Sequence, residues 1–140
     1  MTPPSPRLPA DVRFGDVARV VGFDFERRSL TVTVRLYWHV LKETDTPYKV
    51  FVHLMAPGSV TPAAQHDSPP ANGSLPTTTW VSGEYITDEH VIDMSGAAPD
   101  SYNIFVGLYD PQSGARVPAF TPDGIEFKDD AAPFGLIRWK

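Results

Sequence analysis

Between Pro76 and Pro118 the chain reads Pro76-Thr-Thr-Thr-Trp80, then Gly83-Glu84, a strand-like run from Tyr85 to Met94, and Tyr102-Asn-Ile-Phe-Val-Gly-Leu-Tyr-Asp-Pro111. The last run closes in the turn Gln112-Ser113-Gly114 and returns through Arg116-Val117-Pro118. Apolar residues alternating with polar ones, punctuated by Gly and Pro, specify antiparallel strands joined by tight turns. This stretch predicts neighbouring strands of an antiparallel sandwich.

Upstream the alternation is clearest. Leu30, Val32, Val34, Leu36, Trp38 and Val40 alternate with Thr31, Thr33, Arg35, Tyr37 and His39. A period of two held this long marks a strand with one buried face. From Tyr48 to Met55 both parities are apolar, with Val50, Val52 and Leu54 opposing Phe51, His53 and Met55, which predicts a central strand. Phe14 to Glu26 gives another strand region, with Val17, Val21, Phe23 and Phe25 on one parity. Gly22 inside it marks a bulge or a close backbone approach. Arg27-Arg28 is read as the turn that follows. A short Gly124–Phe127 segment and a final strand from Phe134 to Trp139 complete the set. Residues 57–79, rich in Pro, Ala, Ser and Thr, read as one long loop, and Trp80 as the plug that fixes it to the sandwich.

Composition agrees with this reading. The 140 residues make one domain, large enough for a two-layer core. The chain is 41% hydrophobic and 21% charged, the balance of a globular protein. Its 15 prolines are about twice the usual share of ~5%, which disfavours helices and long central ladders. The expected fold is all-β: a two-sheet antiparallel β-sandwich, immunoglobulin-like or jelly-roll-like, of seven to nine strands. It occupies residues 14–140 as a single domain, with residues 1–13 as a Pro-rich arm or linker.

A net charge of −5 with no Lys/Arg cluster excludes nucleic acid as a partner. The absence of cysteine excludes disulfides, thiolate nucleophiles and Cys-ligated zinc. No apolar run reaches the ~18–20 residues that span a bilayer. The first residues lack the apolar region of a signal peptide, which leaves two readings: a cytoplasmic protein, or a segment of a larger one. Pro3, Pro4, Pro6 and Pro9 make the arm stiff. Docked on the sheet edge of a second copy, through Leu8 and residues 11–14, it would make the chain a self-associating structural subunit.

The ordered set Leu36-Tyr37-Trp38, Val50-Phe-Val-His-Leu54, Gln65-His66-Asp67, Pro69-Pro70, Pro76-Thr77, Trp80, Gly83-Glu84, Asp88-Glu89-His90 and Val106-Gly-Leu-Tyr-Asp-Pro111 resembles one family. It is the extracytoplasmic β-sandwich C-terminal to the membrane region of bacterial multi-spanning glycosyltransferase-like proteins. The resemblance runs from about Phe14 to Trp139. It implies a sandwich, a location in the cell envelope and a membrane-embedded glycosyltransferase region as neighbour. It supplies no catalytic residue.

The residues themselves point to binding rather than catalysis. There is no G-x-S-x-G elbow and no Gly-rich phosphate loop before a helix. No carboxylate pair stands out, so a non-enzymatic domain without a cofactor is expected. Tyr37, Phe51, Phe105 and Tyr109 share the parity opposite the core, with His39, His53 and Asn103 alongside. Stacked on neighbouring strands, they would form an aromatic ridge flanked by hydrogen-bonding groups, suited to a sugar ring. The alternative is a satellite core beneath the 57–79 loop. His66, Asp67, Asp88 and His90 are the candidate ligands if the domain instead holds a metal for binding or hydrolysis. Strand parity puts Asp88 and His90 on one face and Glu89 on the other. The structural reading of Gln65-His66-Asp67 is that it pins the long loop through hydrogen bonds.

Overall fold

A computed structural model describes Pro6 and residues 8–139. Among these residues nine strands follow one another: β1 (Leu8–Phe14), β2 (Ala18–Arg28), β3 (Thr31–Val40), β4 (Lys49–Met55), β5 (Ala64–Ser68), β6 (Tyr85–Asp93), β7 (Asp100–Tyr109), β8 (Ala119–Phe120) and β9 (Ala132–Trp139). They form two antiparallel sheets, one of five strands in the order β6-β3-β2-β1-β8 and one of four in the order β5-β4-β7-β9. The chain is a β-sandwich. The helical elements among the described residues are three short 3-10 turns.

The core follows from the alternation. Val32, Val34, Leu36 and Trp38 of β3 are fully buried, as are Val50, Val52 and Leu54 of β4 and Ile104, Val106 and Leu108 of β7. All belong to one hydrophobic cluster between the sheets. Trp38 lies at its centre, 5.3 Å from the ring of Phe14 and 5.8 Å from that of Trp80. Trp80 closes the end of the 57–79 segment as expected, its indole N–H donating to the Leu75 carbonyl at 2.9 Å.

Several boundaries differ from the sequence reading. Register slips between Val20 and Gly22 where β2 meets β3. The bulge inserts one residue, so Val20 is buried and Val21 turns outward, reversing the expected parity upstream of Gly22. Gly22 also allows a close approach, since a Cβ there would meet Pro6 at 2.2 Å. Leu30 is not part of the strand. With Ser29 it forms the two-residue turn after Arg28, and it is 58% exposed. Gly124–Phe127 forms no strand and contributes an isolated bridge from Glu126 to Phe120.

The sandwich also starts earlier than Phe14. Leu8–Phe14 pairs with β2, and its last two residues pair with β8. The segment read as an arm against a neighbour is thus a strand of the chain's own five-stranded sheet. The rest of the arm, residues 1–5 and 7, lies outside the described residues.

Candidate functional site

The outer face of the four-stranded sheet carries most of the expected binding residues, because β4 and β7 each turn alternate side chains away from the core. Cross-strand register sets them in rows. Asp67 of β5 lies beside Phe51 of β4, and Phe51 beside Gly107 of β7. The next row runs Gln65, His53, Phe105 and Pro133, and a third brings Met55 beside Asn103.

Gly107 decides the local shape. A Cβ at that position would lie 2.0 Å from the Phe51 ring, so the ring lies flat over β7 only because the position is glycine. Beyond β7 the chain turns through Pro111–Gly114 and comes back to pair Arg116 with Tyr109. This return carries the Arg116 guanidinium over the Phe51 ring, 4.3 Å from its centroid. Phe51 is thereby sealed to 1% exposure and offers no free face for stacking.

Two hollows result. A pocket of about 250 Å³ is lined by Phe51, His53, Asp67, Tyr109, Gly114 and Arg116. A groove of about 920 Å³ adjoins it, sharing His53 and Arg116. Its floor is His53, Met55, Asn103 and Phe105, and its walls are the 56–62 loop and residues 127–131. Phe105 is half-buried and open to the groove. The face therefore does not lie beneath the 57–79 segment. That segment walls the groove at one end, extends the sheet as β5 in its middle, and packs against β6 further on.

In the pocket Tyr109 donates to Asp67 Oδ2 at 3.0 Å, and His53 Nε2 lies 3.6 Å from Asp67 Oδ1. Burial pushes the Asp67 carboxyl up, but His53 and Tyr109 outweigh it and hold the group below the usual carboxylate range. Burial and the bond to Asp67 together raise the Tyr109 phenol.

Tyr37 and His39 do not join this face. They lie on β3 of the other sheet, so shared parity on different strands did not mean a shared surface. Tyr37 donates to Asp24 at 2.6 Å beside an Arg35–Glu89 pair at 2.8 Å, and His39 stacks on Tyr85 at 4.5 Å. The single aromatic ridge is thus divided between opposite sides of the sandwich.

The expected metal set is divided too. Strand parity turns Asp67 outward to the pocket, whereas His66 points inward to His90 on β6, with 2.8 Å between their Nδ1 atoms. His90 Nε2 lies 2.8 Å from Asp88 Oδ2, and Asp88 also accepts from Trp38 Nε1 at 3.1 Å and from the Ala71 amide at 2.7 Å. Asp88 and His90 are fully buried. Among the described residues no group of three or more His, Cys, Asp or Glu is placed to hold a metal ion. Instead the chain of bonds ties β5 of one sheet to β6 of the other.

Burial, then the neighbouring His90, holds the His66 imidazole below its ordinary value of 6.5. The unfolded chain then takes up this proton first as pH falls, so the folded state loses stability from about pH 6.5 down to the folded value. Above that window the contribution is constant. Urea midpoints measured from pH 8 to 5 should fall more steeply in the wild type than in His66→Gln; equal slopes would remove His66 from the pH response.

The sequence reading missed Arg116, Phe127, Lys128 and the 56–62 wall. One signal was available, since glycine inside a strand marks a close approach and Gly107 sits beside Phe51. No family model, curated protein or solved structure matches the chain.

Proposed function

We propose that this protein is a non-catalytic accessory domain of the bacterial envelope, acting outside the cytoplasm, that binds glycan in the groove of its four-stranded sheet. The observation carrying this reading is the groove itself. Its floor sets Phe105 beside His53 with Asn103 in the next row of the same face, and its walls add Phe127, Pro57 and Ser59. A sugar ring has the matching character, with C–H faces that pack on an aromatic ring and a rim of hydroxyls for imidazole, amide and serine groups. The resemblance to the sandwich of glycosyltransferase-like membrane proteins supports the same setting, with the membrane-embedded region as neighbour.

The test is an NMR titration of the 15N-labelled chain with neutral and acidic oligosaccharides. Shifts should concentrate at His53, Asn103 and Phe105. Phe105→Ala should weaken binding about tenfold, equivalent to ~1.4 kcal/mol, with the melting temperature nearly unchanged. Shifts confined to β3 and β6 on the other sheet, or none with any oligosaccharide, would overturn the reading.

A further inference from the structure

We propose that the pocket at the end of the groove is an anion subsite, so that the glycan taken by this domain carries an acidic group held by Arg116. The inference rests on the groove reading and adds the charge of the ligand. The shared chemistry is an oxyanion on a sugar, either a uronate carboxylate or a phosphate ester.

The chain is acidic, with 17 carboxylate side chains against 12 Lys and Arg. Several of its cations are spent in pairs: Arg19 with Asp11, Arg28 with Glu26, Arg35 with Asp24 and Glu89, Lys42 with Asp16. Arg116 pairs with no carboxylate among the described residues, although it borders both hollows. It is nonetheless held in place. Its guanidinium rests on Phe51, and Nη1 donates to the Asp129 carbonyl at 2.9 Å. A guanidinium has five N–H donors in a fixed fork that matches carboxylate and phosphate oxygens. Fixing it beforehand removes much of the ordering cost of binding.

Of the three carboxylates that line the two hollows, two are engaged elsewhere. Asp67, the only one lining the pocket, accepts from Tyr109 and faces His53. Asp130 on the groove wall accepts the Ala119 amide at 3.0 Å. Lys128 on the same wall adds a second cation without an ion pair among the described residues. Asp129 beside it is the one carboxylate that competes.

The test uses the whole chain and three probes: trigalacturonate, glucose 1-phosphate and neutral cellotriose. At low salt at least one acidic probe should bind tenfold or more tighter than cellotriose, shifting the Gly114 and Arg116 amides. The two acidic arms separate carboxylate from phosphate. Arg116→Gln should abolish the preference, and Arg116→Lys should keep part of it. Equal binding of acidic and neutral probes, or a preference unchanged in Arg116→Gln, overturns the anion subsite and leaves the groove reading standing. No binding by any probe overturns both.

Discussion

Replacing Trp38 by Ala is expected to lower the free energy of unfolding by about 3–5 kcal/mol, the usual loss for a fully buried large aromatic. The indole is 0% exposed and packs among Phe14, Trp80 and the aliphatic side chains of both sheets. Its removal leaves a cavity that the flanking strands cannot fill, because β3 is pinned by β2 on one side and β6 on the other. The indole N–H bond to Asp88 is lost as well. Urea unfolding of the variant beside the wild type measures the effect. A loss below roughly 1 kcal/mol would mean that the site collapses around the vacancy and that Trp38 is not the keystone of the core.

That prediction can be made because β3 writes its burial plainly in the sequence. From Val32 to Val40 each apolar residue faces a dry interior and each polar one faces water, so parity alone identifies the inside. β2 was harder. One extra residue at its bulge reverses parity midway, and Gly22 marked the place without showing which half would shift. β5 was missed for a different reason. Gln65-His66-Asp67 carries no apolar alternation because it is a short edge strand, held by the β4 ladder and by one imidazole reaching across the sandwich.

The candidate site was legible strand by strand but not as a whole. Alternation showed that Phe51, His53, Asn103, Phe105 and Tyr109 point away from the core, and the four-stranded sheet gathers them. The same alternation placed Tyr37 and His39 outward, yet it holds no information on which sheet a strand joins. That depends on pairings between distant segments, such as β3 with β6, which parity does not encode. Arg116 was invisible for a related reason. Its position over Phe51 needs the return after β7, the glycine at 107 and the ring from β4 together, three features spread over more than sixty residues.

Asp88→Ala is expected to cost as much as the loss of the indole, about 3–5 kcal/mol, although it removes far fewer atoms. The carboxyl is 0% exposed and serves the Trp38 indole, the Ala71 amide and the His90 imidazole together. An alanine leaves these groups inside the sandwich without their acceptor, and an unpaired buried polar group costs about 1–3 kcal/mol. A water entering the vacated space would satisfy part of them and set the lower end of the range. Ala71 adds to the cost, because it sits at φ 54°, a left-handed conformation that an L-residue holds only when its surroundings fix it. Freed from Asp88, the turn at residues 70–73 should relax, and the Ala71 amide should exchange with solvent faster than the β3 amides. Asp88→Asn is the control, since it keeps one acceptor oxygen and nearly the same volume. It should recover part of the stability and slow the Ala71 exchange. If Asp88→Asn and Asp88→Ala are equally destabilised, charge rather than hydrogen bonding holds this crossing between the sheets. If neither is destabilised, the link from His66 to Trp38 contributes nothing to the fold.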